Sequence, residues 1–348
     1  MVSLKIQHIA IVGLGSIGRR HLRLIRELRP ELDITLVRSG MGQDWPEETL
    51  AQRKVDSISE AIQAGVQAAI ISSPSPYHIE QALEFVSAGV HLLIEKPLSH
   101  NIQNVTELMS MAKDKGNIVL VGYVFRYDPA ALYFNDQLQS GVIGKLLHAR
   151  IECGSYLPDW RPEQDYRGSS SSLESLGGGV LLELSHEIDY ACWFFGPLME
   201  VQARLHQSTT LEIQVEDMAQ LLLFSHNSVL IRMHLDFNRR HPKRCCVVHG
   251  TEGELLWDAL AGKVTIKKVA KKSVTKKATA KKPAAEFENR MVGGVMRKVK
   301  VATGEVIGDA DNTQLIDGKH VIIPEGHVWD EQKGALLDPD GFVVQLED

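Results

Sequence analysis

Cysteine is scarce: the 348 residues contain four, Cys153, Cys192, Cys245 and Cys246, and no CxxC spacing. That excludes a disulfide framework, and because two adjacent cysteines cannot readily pair within a strand, a reduced cytoplasmic setting is expected. No cluster of residues has metal-ligand spacing, so no metal is expected. No apolar run approaches a transmembrane span, and the opening MVSLKIQHIA has neither a basic region nor a cleavage site; neither a membrane nor a secretory signal is expected. A net charge of -6 gives no global reason to expect nucleic acid. There is no internal repeat. What remains is an ordinary globular composition, 44% hydrophobic and 24% charged, on a chain long enough for two domains.

From Ile6 to Ala130, apolar runs (IQHIAIVG, DITLVR, AAIISSP, HLLIEKP, IVLVGYVF) alternate with amphipathic stretches of helical length. Continuous apolar strands separated by helices imply βαβ units around a parallel sheet buried on both faces. A dinucleotide-binding domain is assigned to residues 1–123. After about Leu146 the strand-like runs LLHARIEC, MAQLLLFS, SVLIRMHLDF and RCCVVHG are joined by turn signals, and GVLLELSHEIDYACWFFG stands out as helical. The fold class is therefore α/β: a doubly wound parallel sheet, then an α+β substrate domain with a largely antiparallel sheet over 124–266. Residues 267–285, KKVAKKSVTKKATAKKPAA, hold almost no large apolar side chain and read as a disordered linker. A tail of short strands, 286–348, follows. The lysine run could attract a polyanion, but no aromatic residues are interleaved with it, and nucleic acid is not favoured.

Gly13, Gly15 and Gly18 follow the apolar run IAIV and precede an amphipathic helix, the context in which GxGxxG binds a pyrophosphate. Gly13 allows the tight turn, Gly15 lets backbone approach the anion, Gly18 lets helix and strand pack, and the N–H groups at Ser16 and Ile17 begin the helix. About 20 residues on, where an acidic residue binds the ribose of NAD, the chain has Arg38 and Ser39. Arginine there can pair with the 2′-phosphate of NADP. NADP is the expected cofactor, with NAD the alternative.

With the glycine turn, Ser73, Pro74 and His78 after the fourth apolar strand, and Glu95-Lys96-Pro97 closing HLLIEKP, the chain resembles the glucose-fructose oxidoreductase, inositol dehydrogenase and MocA family. The likeness continues through GYVFRYDP, IGKLLHARIECGSYLPDWRP, GGGVLLELSHEIDY and GTEGELLWDALAG, over roughly residues 5 to 266. It implies a Rossmann domain followed by an open-sheet substrate domain, often a homodimer or homotetramer. It also implies that Lys96 sits beside the nicotinamide and the reacting sugar carbon, held by Glu95, with a proline that is often cis. Independently, a lysine ending a parallel strand points into the crevice where α/β ligands bind.

In GGGVLLELSHEIDYACWFF, Glu183, His186 and Tyr190 fall on one helix face. Imidazole suits proton transfer near neutrality, and the family resemblance makes His186 the acid-base partner. The family's commoner pattern places an aspartate four residues before that histidine. This chain has Leu182 there and Glu183 one residue later, so either Glu183 or Asp189 could orient the imidazole. Tyr156, Trp160, Arg161, Tyr166 and, further upstream, Arg126 combine rings with bidentate donors, a set suited to a carbohydrate or phosphorylated sugar. The expected function is nicotinamide-dependent hydride transfer to or from a sugar, sugar acid or nucleotide sugar. A cofactor-binding sensor without turnover is the rival.

Overall fold

The computed structural model describes residues 5–40 and 42–269 with their side chains, and beyond them the backbone of short strands within 287–344. The chain divides into two compact units, 1–270 and 271–348.

In the first unit, β1 (His8–Val12) is apolar and buried at every position, as a strand covered on both faces must be. After it come α1 (Ser16–Leu28), β2 (Asp33–Val37), β3 (Arg53–Val55), α2 (Ile58–Gln63), β4 (Ala68–Ile71), α3 (His78–Ser87), β5 (His91–Ile94), α4 (Val105–Lys115) and β6 (Val119–Val121). The sheet is parallel, in the order β3-β2-β1-β4-β5-β6. The order reverses between β1 and β4, and a crevice therefore opens beyond their carboxyl ends. Leu22 on α1 and Phe85 on α3, with Ile34 and Ile94 on the strands, are fully buried, each worth about 1.5 to 3 kcal/mol of hydrophobic stabilisation.

A helix outside the sequence expectations follows, α5 (Pro129–Gln139). Its start signal is local: Asp128 accepts a hydrogen bond from the Ala131 N–H, and Pro129 occupies the first turn. Then come β7 (Leu146–Gly154), α6 (Val180–Glu183), α7 (His186–Phe195), β8 (Leu198–His206), β9 (Met218–Ser225), β10 (Leu230–Asp236), β11 (Lys243–Gly250), β12 (Gly253–Asp258) and β13 (Lys263–Lys268). The sheet order is β13-β12-β11-β7-β10-β9-β8. Only the β7/β10 pairing is parallel, and Phe134, Tyr190, Phe195 and Trp257 fill the core beneath the sheet.

Three expectations change. The expected single helix carrying Glu183 and His186 is two helices, interrupted at Leu184 and Ser185. Tyr190 is fully buried among Phe125, Phe194 and Trp257, so it belongs to the core and not to a reactive face. Lys267 and Lys268, assigned to the linker, close β13 by pairing with Glu254 and Gly253; the rest of the lysine run, 270–285, lies outside the described residues. Within 271–348 the described strands pair antiparallel in sheets of three, two and three strands. Among the described residues no helix is long and apolar enough to cross a membrane.

Candidate active site

The glycine turn has the geometry of an anion cradle. Gly13 sits at φ +81°, and a Cβ there would come within 3.0 Å of the Ser73 nitrogen. A Cβ on Gly18 would collide with the Gly13 carbonyl. Gly15, at the N-cap of α1, instead faces open space, and no side chain caps the helix that begins with Ser16 and Ile17. The first N–H groups of a 13-residue helix are thus offered to that space, a site fitted to a pyrophosphate. Ser72 pins the turn through bonds to the Val12 and Gly13 carbonyls at 2.8 and 2.9 Å.

Two cofactor assignments change. His78 is 1% exposed, its ring nitrogens lying 2.9 Å from the Pro97 oxygen and 2.8 Å from the Ser73 oxygen. It braces the loops after β4 and β5 and has no surface left for a nucleotide. Burial holds its pKa below the ordinary histidine value. Arg38 is not the free guanidinium that the NADP expectation required: it donates to Glu48 Oε1 at 2.6 Å and to the Gln43 carbonyl at 2.8 Å. Ser39 is exposed beside it. Pro74 leads into a short turn of helix, and the Ser73 hydroxyl donates to Gln81 at 2.7 Å.

Lys96 follows β5, and the Lys96–Pro97 peptide is cis. Its ammonium donates to Glu183 Oε1 at 2.9 Å and to the Glu183 carbonyl at 2.8 Å. The helix break explains how Glu183 reaches it: α6 ends there, so the backbone carbonyl is free of a helical partner and both acceptors face the lysine. Ser171 donates to the other carboxylate oxygen at 3.1 Å. Burial pushes the Glu183 carboxyl up, but Lys96 and Ser171 outweigh it and hold the pKa below the usual value. Glu95 accepts from the Lys96 N–H at 3.2 Å, and its other oxygen lies 2.6 Å from His21 Nε2 on α1.

His186 opens α7 with its ring edge-to-face against Tyr123 and Phe125, at centroid distances of 5.6 and 5.2 Å. Burial, then the positive charges of Arg244 and Lys96, lower its pKa to about 3. The imidazole is neutral at physiological pH. Arg244 is itself clamped by Glu187 at 2.6 and 2.9 Å. Lys96, Glu183, His186, Trp160, Lys243 and Arg244 line one cavity of about 310 Å³. A histidine ordinarily titrating near 6.5 but near 3 when folded costs stability as pH falls from 6.5 toward 3, because only the unfolded chain takes up the proton. Between pH 6.5 and pH 5, urea unfolding should show a loss of about 1 to 2 kcal/mol from this group. His186→Asn should shrink that loss; an unchanged pH dependence would contradict it.

The remaining sugar candidates separate. Trp160 lines the cavity, fixed by its indole N–H to the Ser155 hydroxyl at 2.7 Å. Arg161 is exposed, close enough to Glu183 to lower its pKa. Tyr156 lies under Arg240, 3.3 Å from guanidinium carbon to ring centre, and Tyr166 packs on the core. Asp189 does not orient His186: it forms a bidentate pair with Arg126, at 2.8 to 3.2 Å. Both residues are thereby occupied, and the other candidate, Glu183, places its carboxylate on Lys96 and Ser171. Sequence reasoning missed His21, Ser171, Tyr123, Phe125, Glu187 and Arg244. Only His21 had a local signal, standing one turn after Gly18 on a helix already recognised.

A parallel nucleotide sheet, a glycine cradle and a lysine–glutamate pair facing a histidine define an oxidoreductase of the Rossmann class. A model described as an oxidoreductase family with an NAD-binding Rossmann fold matches residues 7–123, and the GFO/IDH/MocA C-terminal domain matches 132–256. The chain belongs to the GFO/IDH/MocA oxidoreductase family. It is 27% identical to 1,5-anhydro-D-fructose reductase of Ensifer adhaerens over 222 residues, 62% of this chain and 64% of the relative. It is 33% identical to an uncharacterized oxidoreductase of Synechocystis over 141 residues, 40% of this chain and 37% of the relative. The matches thus span less than two thirds of these relatives' length. Among solved structures, the WlbA dehydrogenase of Chromobacterium violaceum, in complex with NADH and UDP-GlcNAcA, shares the fold with a TM-score of 0.67 at 19% identity, covering 78% of this chain and 80% of that one.

Proposed function

We propose that the protein transfers hydride reversibly between a nicotinamide cofactor and a hydroxyl-bearing carbon of a sugar, sugar acid or nucleotide sugar. The observation that carries this reading is Lys96, two residues beyond the Rossmann strand β5, held by two oxygens of Glu183 in the same cavity as His186. When bound, the nicotinamide supplies the hydride acceptor or donor. The chain supplies the rest. In the oxidation direction the neutral His186 takes the hydroxyl proton, while the Lys96 ammonium hydrogen-bonds the same oxygen as it becomes a carbonyl. Glu183 and Ser171 aim that ammonium, and Trp160 forms an apolar wall. The relatives named above support a carbohydrate substrate, one being an anhydrofructose reductase and another a complex with a nucleotide-sugar acid. A sensor without turnover needs neither Lys96 nor His186 in a shared cavity.

Residues 1–270 carry this proposal, since the family models end at residue 256; residues 271–348 are proposed to be a separate added segment. The exposed apolar side chains Met199, Val201 and Leu205 on strand β8 support a homodimer or homotetramer, and the four free cysteines support a reducing cytoplasm. The test is a panel of sugars, sugar acids and nucleotide sugars assayed with NAD and NADP for absorbance of the reduced nicotinamide, on the whole chain and on a chain ending at Ala270. Turnover by both is expected. Nicotinamide binding with no turnover on any panel member would favour the sensor.

A further inference from the structure

We propose that Glu48 sets the nucleotide preference, holding Arg38 in an internal latch that selects NAD over NADP. The inference rests on the nicotinamide-binding reading above and concerns residues outside the reacting cavity. Arg38 is the first residue after β2, where the Rossmann crossover places the adenosine ribose. Only 7% of its side chain is exposed. One guanidinium nitrogen donates to Glu48 Oε1 at 2.6 Å and another to the Gln43 carbonyl at 2.8 Å. A Cβ on Gly42 would lie 3.2 Å from that second nitrogen, so the loop closes on the guanidinium.

Glu48 is anchored from other directions too. The Trp45 N–H donates to Oε1 at 3.3 Å, and Lys54 donates to Oε2 at 2.8 Å. The Lys54 hydrogen bond, with help from the Trp45 N–H and the Arg38 charge, keeps the Glu48 pKa below its ordinary value, so the carboxylate is charged at neutral pH. It stands against the guanidinium that a 2′-phosphate would otherwise claim. An incoming 2′-phosphate must displace this carboxylate and then meet its repulsion, whereas the uncharged ribose hydroxyls of NAD meet neither obstacle. Arginine at this position therefore does not signal NADP in this chain, because its charge is already spent.

The test titrates the full-length protein with NADH and with NADPH, following reduced-nicotinamide fluorescence. NADH is expected to bind at least about tenfold tighter, the scale of one charge-assisted hydrogen bond. Glu48→Gln should shift the NADPH-to-NADH affinity ratio toward NADPH by at least about tenfold, and adding Arg38→Gln should remove the gain. Arg38→Gln alone gives a second, independent reading: a latched arginine predicts little change in NADPH affinity, while one that grips the phosphate predicts a loss of about tenfold or more. Wild-type preference for NADPH, a Glu48→Gln ratio equal to wild type with NADH still bound, or that loss in Arg38→Gln would each overturn the latch. Wild-type protein that binds neither nucleotide would overturn the nicotinamide reading itself, and the latch with it.

Discussion

Replacing Lys96 with methionine should lower turnover by about 100- to 1,000-fold, the usual effect of removing one donor to a developing oxyanion. His186→Ala should cost about 100- to 10,000-fold, the range for general acid-base help. In both variants NADH affinity should stay close to wild type, because the pyrophosphate cradle lies on the glycine turn. Lys96→Met removes the partner of Glu183, whose carboxyl then loses the charge that offsets its burial, so its pKa should rise. Glu183→Gln tests that linkage: the amide oxygen can still accept from Lys96, and it should retain more turnover than Lys96→Met does. Steady-state rates with the substrate found by the sugar panel, set beside NADH titration, check all three. Near-normal turnover in Lys96→Met or His186→Ala would remove that residue from the chemistry. Loss of NADH binding in step with turnover would make Lys96 a cofactor residue instead.

What the sequence made legible was local. The glycine turn and the lysine of HLLIEKP depend on residues within one turn or strand end, and they stand where their neighbours predict, before α1 and just after β5. The βαβ alternation was legible for the same reason, since a strand buried on both faces must be apolar throughout. The partners of charged groups were not. Arg38 was open to a phosphate until Glu48, 10 residues away on a short helix, proved to hold it. Asp189 and Arg126 are 63 residues apart, and nothing in either segment announces their pairing. The break at Leu184 and Ser185 also escaped, because GVLLELSHEIDYACWFF has continuous helical periodicity and no proline. That break turns the Glu183 carbonyl and carboxylate to Lys96 together.

Glu187→Ala should be the most destabilising single change near the cavity. Glu187 is fully buried and its carboxylate grips Arg244 with two hydrogen bonds, at 2.6 and 2.9 Å. Burial alone would lower the Arg244 pKa; the Glu187 hydrogen bonds and charge outweigh it and hold the guanidinium above its ordinary value. Removing the carboxylate leaves that cation uncompensated 4.7 Å above the Phe125 ring, close to the core around Trp257. Breaking one side of a buried pair costs about 3 to 5 kcal/mol, whereas replacing both sides with apolar groups of similar volume is close to neutral. Urea unfolding followed by tryptophan fluorescence should therefore rank Glu187→Ala far below wild type. The double variant Glu187→Leu with Arg244→Met should recover most of the difference. The double variant also removes one of the charges that lower the His186 pKa, so that pKa should rise toward the ordinary histidine value. A loss under about 1 kcal/mol in Glu187→Ala would mean that water reaches Arg244 and the pair is not the buried clamp its geometry describes. A double variant as unstable as the single would show that packing, and not the unpaired charge, carries the cost.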